Sequence, residues 1–485
     1  MSIDDSRLFA PEPMVFVDLE TSGANFANDR IIEVGLVEVD STGVREWSVL
    51  VNPEVPLSPF ITSLTGISEA MLRPAPTFRQ IAHELLERLR GRLFVAHNAR
   101  FDYGFLKGEF GRLGVAFRQP SLCTVKLSRK LYPEHHRHNL DTLVERHGLT
   151  AGGGRHRALA DARLLWSLWQ CWHRQLPAAT INDAVGAIVG RPQLPPQLDP
   201  TALDDLPEAP GAYVFYGEDG RLLLARRSDN LRRQVLAHFA AGSRDKSLYR
   251  ETWRIEWREA AGELGARLHE LRYARSAPLT TPAKAAAGSG GTARHLAPAN
   301  ELCSWQLHSP ASGDCRLRLV FADELDFAVA DDLFGMYTNR REAQRSLRVL
   351  AEAHQLCPKQ VGIEQAVAAC SAYRQKNCRG ACIGKESLLQ HGARLMSALA
   401  RLKIRSWPYR GPVALIERDD FGMREDIHVV DRWRLLGTVQ DDAGLQTLLA
   451  AAPSRQDFDP EVYRIVSRTL NTGKVVVRPV NALSP

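Results

Sequence analysis

Residues 15–39 read VFVDLETSGANFANDRIIEVGLVEV, and the first six of them decide the fold. An apolar, β-branched run of the kind that fills buried strands is interrupted by Asp18 and Glu20. Side chains on a strand alternate faces, so two acids separated by one residue lie on the same face. Mutual repulsion and desolvation would raise both pKa values, which makes a divalent cation a fitting partner. A D-x-E pair on a polar edge strand is the plainer alternative, and the rest of the chain has to weigh the two. The continuation, RIIEVGLVEVD, predicts a second strand, and VREWSVLVNP a third.

Working outward, TFRQIAHELLERLRG predicts a helix and RLFVAHN a strand, so residues 1–178 read as one α/β domain with an antiparallel first sheet and a helical second half. Two further stretches add acids. FVAHNARFDYGFL places Asp102 just after a strand, and GRHRALADARLLWSLW places His156 and Asp161 at the start of an apolar-periodic helix. Four acids and a histidine spread over three segments are hard to explain as solvated surface. The histidines of YPEHHRHNLDTL, His135, His136 and His138, lack the i, i+4 spacing of helix-face ligands and read as loop residues.

The succession D-x-E-T, H-N-A-x-F-D, H-R-A-L-x-D-A, with ITSLTGIS at 61–68, resembles the DEDDh exonuclease family over about residues 12–175. That family includes the proofreading subunit of the bacterial replicative polymerase. The resemblance implies an RNase H-like fold and two Mg²⁺ or Mn²⁺ ions held by Asp18, Glu20, Asp102 and Asp161. It also implies His156 as the general base of phosphodiester hydrolysis, with nucleotides removed singly from a 3′ end.

Proline clusters mark 179–206 as a linker. Residues 209–239, APGAYVFYGEDGRLLLARRSDNLRRQVLAHF, read as strand, turn, strand and basic helix, and the span 207–280 resembles the GIY-YIG nuclease module of UvrC and its relatives. Carried over, Tyr213 is the first motif tyrosine and Glu270 the metal-binding glutamate, but Leu224 stands where the second tyrosine belongs and Gln234 where the catalytic arginine belongs. Losing such a phosphate-binding donor costs about 2.7–4 kcal/mol of transition-state stabilisation. The expectation is therefore a degenerate module that binds DNA, with Arg226, Arg227, Arg232 and Arg233 as phosphate contacts; a spacer with a solvated basic face is the alternative.

Small residues, Gly and Pro make 281–300 read as a flexible linker. In 301–402, four of the chain's 8 cysteines follow the spacing C-x12-C-x7-C-x3-C: Cys357, Cys370, Cys378 and Cys382. This region is similar to the cysteine segment of UvrC, which implies a 4Fe-4S cluster; four thiolates also suit tetrahedral Zn²⁺, and ordinary buried cysteines without a metal are the plainer alternative. Residues 403–485 read as a β-rich region with Trp407 and Trp433 in its core and no catalytic constellation.

The chain's 485 residues, 44% hydrophobic and 24% charged, suit a multidomain globular protein, and no apolar run reaches membrane-spanning length. MSIDDSRLFAPEP lacks the basic and apolar regions of an export signal, so a cytoplasmic location is expected. A net charge of +6 is compatible with a polyanionic partner without demanding one. The expected function is a metal-dependent 3′-to-5′ DNA exonuclease of DNA repair. Its expected partners are DNA 3′ ends and polymerase or repair proteins, with no membrane. The alternatives are a proofreading subunit, an RNA exonuclease, or a non-catalytic protein that binds particular DNA structures.

Overall fold

The apolar residues flanking the two acids of the first strand sort by parity, and that sorting builds the molecule's first layer. The structure, a computed structural model, describes residues 13–150, 155–190, 194–199, 203, 205–239, 246–276, 301–308, 315–365, 367–420, 422–451 and 458–480. The N-terminal stretch and the linker expected over 281–300 lie outside them. The chain divides into two units: Met1–Ala261 with Arg418–Glu425, and Gly262–Glu417 with Asp426–Pro485.

In the first unit, β1 (Met14–Thr21), β2 (Ile31–Asp40) and β3 (Gly43–Leu50) form an antiparallel meander. They are followed by α1 (Pro59–Thr65), α2 (Phe78–Leu89), β4 (Leu93–Ala96), α3 (Arg100–Arg112), β5 (Ser121–Cys123), α4 (Thr124–Leu131), α5 (Leu140–His147), α6 (Ala158–Gln175) and α7 (Ala178–Val189). The sheet order is β3-β2-β1-β4-β5, with β4 and β5 parallel to β1. The expected antiparallel sheet is thus only its first half. The crossover through α2 returns the chain parallel to β1, as a helical connection does.

Val15, Val17 and Leu19 pack with Phe78 and Leu85 of α2 and Phe105 and Phe110 of α3. Met14 and Phe16, on the other parity, pack with Trp166, Trp169 and Trp172 of α6. Burial on both faces explains why β2, buried at nine of its ten residues, carries Ile, Val and Leu on both parities instead of alternating. Residues 179–189, read as the start of a linker, instead belong to α7, with Ile181 and Ala184 buried in the α6 core. The first unit continues with β6 (Gly211–Tyr216), β7 (Leu222–Ser228), α8 (Leu231–Phe239) and β8 (Arg254–Glu259), whose sheet is ordered β7-β6-β8.

The second unit opens with α9 (Glu263–Ser276), so the span read as one GIY-YIG module is divided between the units. It continues with β9 (Cys303–His308), β10 (Arg316–Phe321), β11 (Leu333–Tyr337), α10 (Arg340–Ala353) and α11 (Leu388–Leu399). The sheet β10-β9-β11 shares its core with α10 and α11. Last come β12 (Val413–Arg418), β13 (Glu425–Asp431), β14 (Arg434–Val439), α12 (Asp442–Ala450), α13 (Pro460–Thr472) and β15 (Val476–Pro479), with sheet order β14-β13-β12-β15. Val413 and Leu415 face α9 and α13, while Ala414 and Ile416 face α12. Trp433 is buried and packs edge-on against Trp407 at 5.0 Å and Tyr463 at 4.9 Å, an edge-to-face geometry that suits aromatic quadrupoles.

Candidate active site

Asp18 and Glu20 continue the parity of Met14 and Phe16, the face of β1 that lies under α6. The strand therefore presents its acids where α6 begins. Two things let α6 approach that closely. Gly35 of β2, paired with Asp18, has no side chain where a Cβ would stand 2.2 Å from the backbone of Ala158 and Leu159. Beside it, buried Glu33 accepts from the Ala158 N–H at 3.0 Å and from Arg157 Nη2 at 2.7 Å, tying the start of α6 to β2. Asp161 sits in the first turn of that helix.

Asp102 arrives from the other side, in the first turn of α3, where its Oδ1 accepts from the Leu19 N–H at 3.1 Å. His156 precedes α6 with φ +61°, and its N–H donates to Asp161 Oδ2 at 3.3 Å. Left-handed backbone at a residue other than glycine stores strain of order 1–3 kcal/mol, and it occurs preferentially at functional sites. All five residues line one cavity of about 230 Å³, together with His97, Asn98, Phe101, Leu140 and Arg155.

The electrostatics are those of acids crowded beyond what water would tolerate. Burial, then the Asp102, Asp161 and Glu20 carboxylates, hold the Asp18 carboxyl well above its usual range. Burial also raises Asp102 and Asp161, and burial with the Asp161 and Glu33 charges pushes Glu20 up to about 7. The Arg155 guanidinium opposes this from within the cavity, bonded to Asp161 and, through Nε at 2.9 Å, to Asp141. The donor set fits a hard divalent ion: ligand atoms of Glu20, His156 and Asp161 lie within 4.8 Å of one another, and carboxylate oxygens are what Mg²⁺ and Mn²⁺ take.

Sequence reasoning passed over Arg155 and His97, although each adjoins or belongs to a quoted motif. His97 Nδ1 lies 2.9 Å from Thr124 Oγ1, while its Nε2 is buried without a hydrogen-bond partner among the described residues. Burial, then the Arg155 charge, pushes this histidine down to about 4.

The four cysteines of the second unit also converge. Their sulfurs lie within 4.8 Å of one another, with Cys357, Cys370 and Cys378 buried and Cys382 half-buried. The 3.9 Å between the Cys357 and Cys370 sulfurs is far beyond a disulfide bond, and all eight cysteines are free. Backbone N–H groups of Gly380 and Cys370 donate to the sulfurs of Cys378 and Cys382 at 3.3 and 3.5 Å. Such donors commonly surround metal-bound thiolates.

The GIY-YIG positions are arranged otherwise. Tyr213 is fully buried, its hydroxyl 2.8 Å from Nε2 of buried His238. Leu224 pairs with Phe215 in the β6–β7 register, Gln234 is half-buried on α8, and Glu270 lies on α9 of the second unit. Of the four arginines, Arg233 pairs with Asp229 at 2.9 Å and Arg232 donates to the Leu203 carbonyl at 3.3 Å. Arg226 and Arg227 lie on β7.

Comparison with known proteins matches residues 15–168 to an exonuclease family model, 302–401 to the UvrC/Cho excinuclease middle domain and 412–484 to the Excinuclease Cho C-terminal domain. Excinuclease cho of Escherichia coli O6:H1 is 34% identical over 286 residues, covering 58% of this chain and 89% of that protein. The PolC-type DNA polymerase III of Caldanaerobacter subterraneus is 39% identical over 150 residues, covering 31% of this chain and 11% of that protein. Among solved structures, exonuclease X in complex with 5′-overhanging duplex DNA is 27% identical, covering 36% of this chain and 99% of that one, with a TM-score of 0.29. A domain of the exonuclease family thus precedes UvrC/Cho middle and C-terminal domains in one polypeptide, and the chain belongs to the Cho excinuclease family.

Proposed function

We propose that the first unit is a metal-dependent 3′-to-5′ DNA exonuclease acting in DNA repair. The observation that carries this reading is the convergence of Asp18, Glu20, Asp102, His156 and Asp161 on one cavity. Two Mg²⁺ or Mn²⁺ ions, held by the four carboxylates, would supply charge to the attacking and leaving oxygens and acidify a water. The chain's own groups do the rest. His156 takes the proton of the attacking water as the general base. Asp161 anchors the His156 backbone through its N–H, and Asp102 fixes β1 through Leu19. Repair is favoured by the excinuclease relatives that match the rest of the chain.

The test is a time course on a 5′-labelled single strand and a 3′-recessed duplex with Mg²⁺ or Mn²⁺, beside Asp18→Ala. A metal-dependent ladder shortening from the 3′ end and lost in the variant is expected. Digestion that begins at the 5′ end, or that persists in Asp18→Ala, would overturn the assignment.

The GIY-YIG module is read as a DNA-binding remnant without nuclease activity. Its one retained tyrosine has its hydroxyl engaged with His238 in the core, out of reach of a phosphodiester, and no arginine stands at position 234. The Asp18→Ala chain is therefore expected to leave supercoiled plasmid unnicked with either metal, and nicking would refute the inactive reading. The four cysteines are read as holding a 4Fe-4S cluster or a Zn²⁺ ion. Visible absorption that bleaches on reduction, against zinc in metal analysis, separates the two.

A further inference from the structure

We propose that α10 of the second unit is a docking track for the phosphate backbone of duplex DNA, through Arg341, Arg345 and Arg348. The proposal deepens the nuclease reading and rests on DNA being the substrate. At 100° per residue these three side chains project within about 60° of one another, along about 10.5 Å of helix axis. That span matches about three phosphates of one strand at 3.4 Å of rise each. The opposite face of α10, Ala343, Leu347 and Ala351, is buried in the core, so the stripe is held outward on a fixed base. Asn339 caps the helix by accepting from the Glu342 N–H at 2.9 Å, which fixes the end where the stripe begins.

All three arginines are exposed, and none makes an ion pair or side-chain hydrogen bond among the described residues. This sets them apart from arginines of the same unit that are spent on carboxylates, such as Arg394 with Glu386 and Arg267 with Glu263. Three unpaired guanidiniums on one rigid face repel one another, and a polyanion relieves that repulsion. Guanidinium forks also match phosphate oxygens bidentately.

The form of DNA follows from what the surface lacks. Binders of single strands supply exposed aromatic rings on which bases stack. The exposed large apolar side chains described in the second unit are aliphatic or methionine, among them Val349 on α10 and Leu388 and Leu389 on α11. A duplex hides its bases and offers phosphates, which is what the stripe can hold, without sequence preference.

The experiment uses the full chain without added divalent cations, so that binding is read independently of cleavage. Anisotropy of a labelled blunt duplex is followed against salt for the native protein, for Arg341→Gln/Arg345→Gln/Arg348→Gln, and for the corresponding triple Lys variant. Removing three phosphate contacts should lower the log–log salt slope by about 2–3 and weaken binding on the order of 10- to 100-fold at low salt. The Lys variant should bind nearly as the native chain does, which a packing role of the arginines would not predict. An unchanged slope in the Gln variant overturns the proposal. An equal loss on a single strand or on anionic vesicles overturns the duplex assignment. A missing exonuclease ladder would touch only the first unit's reading.

Discussion

His97 shows how a single side chain beside the acids is tuned. Its ring is held to Thr124 on one edge and, among the described residues, has no hydrogen-bond partner on the other; burial, with the Arg155 charge, keeps it neutral by pushing its pKa down to about 4. A histidine depressed in the folded state contributes stability that is full above its ordinary pKa of about 6.5. That stability is lost as pH falls through 6.5 toward 4, because the unfolded chain then binds the proton more readily. The expected slope is at most about 1.4 kcal/mol per pH unit from this group. His97→Asn, which keeps a polar partner for Thr124, should lose less stability than the native chain between about pH 6.5 and pH 4. Urea unfolding at both ends of that window checks it, and equal losses would remove His97 as the source. This residue was legible only as part of H-N-A. Asp18 and Glu20 announced themselves because acids inside an apolar strand are costly, whereas a histidine after a strand is chemically ordinary until its burial is known.

At the scale of elements, the site depends on how closely α6 rides over β2. Gly35→Ala would put a methyl group 2.2 Å from the Ala158 and Leu159 backbone, where no side chain can swing aside. The helix start must lift, and with it His156 and Asp161. Overpacking of this kind costs about 1–3 kcal/mol. Chemical denaturation should show that loss, and Mn²⁺ binding by calorimetry should weaken with it; a loss of stability with metal affinity intact would mean that α6 yields elsewhere. The sequence marked α6 by its apolar period and β2 by its apolar run, but nothing in either marked the glycine as a contact between them. The sheet's parallel half was illegible for a related reason, since strand direction is set by the crossover and not by strand composition. Helix α7 was missed although Ile181, Ala184 and Ile188 have helical spacing, because the prolines that follow it outweighed twelve residues of pattern.

At the scale of the whole molecule, two kinds of candidate metal site sit in two separate cores. The clusters around β1 and α6 are built from the first unit alone, and those around α10, α13 and the four cysteines from the second. Ligand binding stabilises only the cooperative unit that binds, by about 2.7 kcal/mol at a hundred times Kd. At about 2–4 °C per kcal/mol for units of this size, that is a rise of several degrees. Scanning calorimetry of the full chain should therefore resolve two transitions. Mn²⁺ should raise one of them, and Asp18→Asn should abolish that rise. Cys370→Ser should lower the other and leave the first in place, because a thiolate ligand anchors only its own core. The division of ligands between units makes this demanding. A single transition that moved with both perturbations would mean that the exonuclease domain and the Cho domains melt as one body, and that binding at either site stabilises the other.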